Sequence, residues 1–231
     1  MKPTDFAKTF ERCSSAVRKL EVRVNGGLSF PATPENYTGT PIELASLTFA
    51  SIMSIDRPLT IHPFSTSNLK ALRLTSILGI TWNDVVLGIK TVEILSMVVQ
   101  NGLPRNVHFS QPVKTIATNL DLSALPRLSV LHINKGAFDD PTVEAQMINA
   151  LISTIPSQHQ MHSIVLTLPT AIPAVWEALD LTLSRLRVSV VEIHVFLHRE
   201  EALLCFPRLS AKNILRVDYN PYWWEDITAG L

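Results

Sequence analysis

The chain has 231 residues, 46% of them hydrophobic and 17% charged, a balance that excludes a disordered polymer and supplies enough apolar surface for a large core. Lys plus Arg and Asp plus Glu each number 20, so the net charge is zero and no overall field favours nucleic acid or an anionic membrane.

In chain order, Phe6, Phe10, Cys13, Val17 and Leu20 recur at steps of four and three, which predicts one apolar helical stripe. The N-terminal residues Met1 to Phe6 contain no continuous apolar run, so no secretory signal is expected and the chain reads as intracellular. Leu20-Glu21-Val22-Arg23-Val24 switches to period two, the pattern of a strand, and Gly26-Gly27 ends it. The stretch through Pro31, Pro34, Gly39 and Pro41 is rich in turn formers and reads as a surface loop, and Asn36-Tyr37-Thr38 is a chance glycosylation sequon within it.

The stretch Asn68 to Ile89 carries the most local information. Leu72-Arg73-Leu74 alternates as a half-buried strand does, and Trp82-Asn83-Asp84-Val85 begins a short helix. The same order returns at the C-terminus, where Asn213-Ile214-Leu215-Arg216-Val217 reads as a strand and Trp224-Glu225-Asp226-Ile227 as a helix start. Both copies read Trp-x-Asp-(Val/Ile)-x-x-Gly-(Ile/Leu), which predicts a repeated strand-plus-helix unit.

Further strands are predicted around Val22, Leu47, Ile94, Leu131, Val165 and Ile193. With Leu72 and Leu215 the successive intervals are 25, 25, 22, 37, 34, 28 and 22 residues. Most lie near the roughly 20–29-residue period of leucine-rich repeats, and the interval before Leu131 leaves room for a degenerate strand at Val107-His108-Phe109. A helix is predicted from Pro141, with Val143, Met147, Ile148, Leu151, Ile152 and Ile155 as its apolar face and Pro156 as its stop. A second uses Trp176, Leu179, Leu183 and Leu186 and leads into a strand from Val188 to Leu197, a run too short and too polar to span a bilayer. Alternating strands and helices predict an α/β fold with parallel strands. A closed barrel and a doubly wound sheet alternate similarly. The short leucine-rich strands, and the lack of a glycine-rich strand-to-helix turn, favour an open solenoid of alternating short parallel strands and helices, one domain over residues 1–231.

Leu125-Pro126-Arg127-Leu128-Ser129-Val130-Leu131-His132-Ile133, Trp176-Glu177-Ala178-Leu179-Asp180 and Phe206-Pro207-Arg208-Leu209 resemble the leucine-rich-repeat region of fungal-type F-box proteins. That resemblance implies the substrate-recognition part of a ubiquitin-ligase receptor. The F-box itself, a helical segment opening with a Leu-Pro-x-Glu-(Ile/Leu) type sequence, is not visible in the chain. A ubiquitin-ligase adaptor is therefore a partner only if an F-box lies upstream, and the chain is expected to be a fragment of a longer protein.

Residue patterns that carry chemistry point elsewhere only weakly. His194 and His198 have the spacing of a zinc pair, but the segment reads as a strand, where residues four apart are separated by about 13 Å. His159 and His162 sit beside Pro156 and read as a loop pair. Asp139-Asp140, Glu200-Glu201 and Glu225-Asp226 fall at helix starts, where negative charge offsets the helix dipole. Cys13 and Cys205 belong to no Cys-x-x-Cys pair and read as reduced, packed thiols. No nucleophile elbow or phosphate loop is present, and Trp82, Trp176, Trp223 and Trp224 read as packing residues that wedge between repeats.

The sequence thus predicts a non-enzymatic protein-interaction module with no cofactor and no metal, whose partner is another protein. The side chains between the buried aliphatics, Arg23, Arg73, Glu93, His132, Glu192, His194 and Arg216, are predicted to line a concave binding surface. The alternatives are a metal-assisted hydrolase using the histidine pairs and a truncated, non-functional paralogue.

Overall fold

A computed structural model describes residues 16–24, 42–43, 46–54, 64–65, 67–76, 90–99, 121–135, 141–168, 172–195, 199–218 and 223–229. Ten strands are described: β1 (Lys19–Val24), β2 (Ile42–Glu43), β3 (Phe49–Ser54), β4 (Phe64–Ser65), β5 (Ala71–Ser76), β6 (Ile94–Val99), β7 (Val130–Lys135), β8 (Gln160–Leu168), β9 (Arg187–Val195) and β10 (Leu215–Asp218). Eight of them form one sheet in the order β1-β3-β5-β6-β7-β8-β9-β10, with every neighbouring pair parallel. Each strand therefore lies beside its predecessor, and the sheet is open, with β1 and β10 at its edges among the described strands. The two-residue strands β2 and β4, from the connections on either side of β3, pair in parallel with each other.

Parallel neighbours need a crossover connection. Between β7 and β10 these are helical: α1 (Pro141–Ile152), α2 (Pro173–Arg185), α3 (Arg199–Cys205) and α4 (Pro207–Ala211); α5 (Trp223–Thr228) follows β10. The eight predicted strand centres correspond to the eight strands of the large sheet, with shifts at the ends. Leu47 lies two residues before β3, and Asn213 lies in a turn rather than in β10. Val17 and Leu20 do not continue a helix, because β1 begins at Lys19. The helical stripe upstream of residue 16, the helix start at Trp82 and the degenerate strand at Val107 lie outside the described residues.

Register explains why the strands read as they do. Leu72, Leu95, Leu131, Ile164, Val191 and Leu215 form one cross-strand row, and Leu74, Met97, Ile133, Leu166, Ile193 and Val217 form another two residues on. Successive residues of a strand point to opposite faces, so both rows share one face. Buried residues of α1 to α4 (Ile148, Ile152, Trp176, Leu179, Leu183, Cys205 and Leu209 among them) join these rows in one core. Each fully buried Leu or Ile stabilises by about 1.5–3 kcal/mol. Leu47, Leu69, Val92 and Leu128, each two residues before a strand, extend the core.

A repeated backbone device sets where each strand begins. The Thr48 carbonyl accepts from both Lys70 N–H and Ala71 N–H, Lys70 from Glu93 and Ile94, Glu93 from Ser129 and Val130, and Ser129 from His162 and Ser163. The accepting residue always directly precedes its own strand, and so does the first donor of each pair except His162, where β8 has already begun.

Side-chain caps, one ring pair and a left-handed residue fix the helical layer. Thr154 donates to the Leu151 carbonyl and accepts from Leu122 N–H, which ends α1 at Ile152, before Pro156 is reached. Asp180, fully buried on α2, accepts from Arg208 N–H and Leu209 N–H at 3.1 and 3.2 Å and from the Arg208 guanidinium at 3.3 Å. It caps the N-terminus of α4 from another helix, satisfying N–H groups that the first turn leaves without partners. The Trp176 and Phe206 rings pack alongside, 6.4 Å apart. At the other end of α4, Asn213 takes φ 56°, with Asn213 N–H donating to Ser210 and Ile214 N–H to Leu209. This is a Schellman termination with Asn in the left-handed position, and it aims Ile214 into the core just before β10.

Candidate functional site

The face opposite α1 to α4 carries the residues between the buried aliphatics. Glu21, Ser51, Arg73, Ser96, His132, Val165, Glu192 and Arg216 form a single cross-strand row over all eight strands. Two residues on, Arg23, Met53, Thr75, Val98, Asn134, Thr167, His194 and Asp218 form the next. Of the predicted site residues, the structure brings Arg73, His132, Glu192 and Arg216 into the first row and Arg23 and His194 into the second. For Arg23 the backbone alone is described. Glu93 is not brought into either row: it directly precedes β6, and its carbonyl belongs to the ladder of strand starts.

These polar residues interact with one another. Ser96 Oγ and His132 Nδ1 are hydrogen-bonded at 2.9 Å. His194 Nε2 donates to Glu192 Oε1, and Arg216 Nη1 lies 3.8 Å from Glu192 Oε2. Glu192 thus links a buried imidazole to an exposed guanidinium. His132 is only 4% exposed. Burial, then the fields of His194 and Arg73, lower its pKa from 6.5 to about 3, so the imidazole is neutral at physiological pH. A neutral imidazole keeps the row's charge confined to Glu21, Arg73, Glu192 and Arg216.

The centre of this face is covered. Trp224 of α5, 5% exposed, clusters with Ala71, Val130 and Val165, and Ile94 and Ile227 pack against that cluster. The Arg73 guanidinium carbon lies 5.7 Å from the centroid of the Trp224 ring, and Arg73 Nη1 lies 3.8 Å from Glu225 Oε1. The Thr228 hydroxyl donates to the Trp224 carbonyl within α5. Trp224 therefore does not sit in the helix-side core, as Trp176 does. Ala71, the smallest residue of its cross-strand row (Ala71, Ile94, Val130, Ser163), is part of the surface that receives the indole.

Other candidates have structural partners. His159 Nε2 donates to the Leu128 carbonyl, and His162 is exposed on β8. His194 lies on β9 as expected, while His198 lies outside the described residues. Among the described residues no group of three or more His, Cys, Asp or Glu is placed to hold a metal ion. Glu200 and Glu201 occupy the first turn of α3, and Glu225 and Asp226 that of α5; Asp139 and Asp140 lie outside the described residues. The Cys205 thiol is buried, and burial with the nearby Glu201 pushes its pKa up to about 11, so it stays protonated. Cys13, Trp82 and the side chain of Trp223 lie outside the described residues. No described helix is long and apolar enough to cross a membrane.

Sequence reading missed Ser96 and the covering role of Trp224. The signal for Ser96 was available. Leu72-Arg73-Leu74, Leu95-Ser96-Met97, Leu131-His132-Ile133, Ile164-Val165-Leu166, Val191-Glu192-Ile193 and Leu215-Arg216-Val217 are one aligned triplet, with the middle residue variable. The fold of α5 back onto β5 to β8 has no comparable signal, because period and spacing do not specify which face a terminal helix meets. No protein-family model matches the chain, and no curated relative matches it either.

Proposed function

We propose that the chain is a non-enzymatic protein-interaction module, an open leucine-rich-repeat-like solenoid whose recognition surface is the face carrying Arg73, His132, Glu192, His194 and Arg216. One observation carries this reading. The framework of the aligned triplet is constant in six strands, while its middle residue runs through Arg, Ser, His, Val, Glu and Arg. A stacked scaffold repeats what its helix-side core must bury and leaves the opposite face free to vary. The identical carbonyl arrangement at successive strand starts supports the repeat. The alternating charges suit a protein partner better than a polyanion.

The resemblance to F-box proteins extends the proposal to an intracellular substrate receptor of a ubiquitin ligase, with an adaptor as partner only if an F-box lies upstream. The test is comparative capture from a cell extract. Wild type and the Arg73→Glu/Arg216→Glu double variant are expected to melt within about 4 °C of each other, since Arg216 is exposed and half-buried Arg73 holds only the short helix α5. A specific partner is expected on the wild type and lost from the variant. Equal capture by both would remove these residues from the surface. Stoichiometric zinc in the purified protein would favour the hydrolase reading instead.

A further inference from the structure

We infer that α5 is a built-in occupant of the recognition face, and that the partner of that face is a helix presenting a tryptophan followed directly by a carboxylate. The inference rests on the interaction-module reading and deepens it by naming what the centre of the face accepts.

Three observations combine. Trp224 is nearly enclosed, and the residues that enclose it come from strands β5, β6, β7 and β8, not from the helical layer. Arg73 serves both parts of the dipeptide at once, with its guanidinium over the indole and an amino group toward Glu225. Arginine is suited to this because its planar cation stacks on an aromatic face while its N–H groups remain free to meet a carboxylate. The occupant is also weakly held. α5 has six residues, too few to be stable as an isolated helix, and Glu225 is 61% exposed. A helix this short, packed on the sheet through Trp224 and Ile227, belongs to the low-stability end of a fold. The face is thus matched to a Trp-acid helix and filled by one that can leave.

A tethered segment at an effective concentration of about 1 mM competes with a free peptide. For a peptide of ~100 μM affinity the competition is a roughly tenfold handicap. The probe is a fluorescein-labelled peptide with the sequence from Tyr219 to Leu231, titrated into the full chain and followed by anisotropy. Trp224→Ala in the full chain is expected to bind the probe about tenfold more tightly than wild type. Adding Arg73→Glu to that variant, or replacing the tryptophan equivalent to Trp224 by alanine in the probe, is expected to abolish binding. Glu225→Lys alters an exposed side chain and so tests the same point without risk to the core; its expected gain is about threefold.

Equal affinity of wild type and both variants for the probe, or no binding to either variant, would overturn the inference. So would a wild-type dimer that dissociates on Trp224→Ala, because α5 would then serve a second copy. Failure here is distinguishable from failure of the broader reading. An idle probe with a partner still lost from the Arg73→Glu/Arg216→Glu variant would leave the interaction module standing and remove only the Trp-acid occupant.

Discussion

The two faces of the sheet are made from alternate residues of the same strands, yet they are held in different ways. On the helix-covered face, rows such as Leu72 to Leu215 and Leu74 to Val217 run without interruption under α1 to α4. On the other, an apolar centre of Ala71, Val130 and Val165 is flanked by Ser96–His132 and by Glu192 with His194 and Arg216, and the Trp224 indole with Ile227 closes it. Trp176 and Trp224 show the difference in one residue type. Trp176 is locked among helices and strands, with Phe206 beside it, whereas Trp224 is carried by six residues at the end of the described chain. A face built from rows resists local loss because each side chain is held by neighbours on adjacent strands. A face closed by one short helix can open without unfolding the rest.

The largest test of that contrast lies at Asp180. Its replacement by alanine strands Arg208 N–H and Leu209 N–H inside the helical layer, and the expected loss is about 3 kcal/mol in urea unfolding. Asp180→Asn keeps one acceptor oxygen and should lose clearly less. A loss under 1 kcal/mol for Asp180→Ala would mean that the helical layer is not the rigid side.

The second test addresses the polar rows. The native pKa of His132 lies near 3, below its unfolded value of 6.5, so the unfolded chain takes up the proton first. The His132 contribution to stability is therefore constant above pH 6.5. It falls as pH drops from there toward 3, by up to about 1.4 kcal/mol per pH unit. Between pH 7 and pH 5 the expected cost is about 2 kcal/mol. In His132→Gln that part of the pH dependence should vanish, and an unchanged slope would show that His132 is not the buried imidazole responsible.

The smallest effect is expected for Trp224→Ala. Removing a large aromatic from a core costs about 3–5 kcal/mol, but undocking of α5 caps the loss at its own docking free energy, about 1 kcal/mol. Leu131→Ala on the helix-covered face, at about 2–5 kcal/mol, is the reference. Equal losses at the two positions would erase the distinction between the faces and make α5 an integral element.

Much of the fold was legible in the sequence because burial on a sheet leaves a period of two. Leu-Arg-Leu at 72–74 and Val-Glu-Ile at 191–193 announce strands whose outer residues are buried and whose middle residue is not part of that core. The shared row of the candidate site was legible in the same way. Register carries the middle residues into one row, so Arg73, His132, Glu192 and Arg216 followed from periodicity alone. Glu93 did not, since it directly precedes β6, whose start is set by Glu93 N–H and Ile94 N–H donating to the Lys70 carbonyl. Asp180 and Arg208 were visible as parts of two separate motifs, and only the packing of α2 against α4 joins them.

The alternation of strands and helices, their approximate spacing and part of the variable rows (Arg73, His132, Glu192 and Arg216 in one, Arg23 and His194 in the other) were set by the sequence alone. These follow from local burial patterns, which are written residue by residue. Tertiary structure alone decided that Asp180 caps a distant helix, that His132 is buried and neutral, and that Trp224 lies on the face opposite Trp176. Each depends on which surfaces meet across long stretches of chain, and the same tryptophan-led helix start can serve either face.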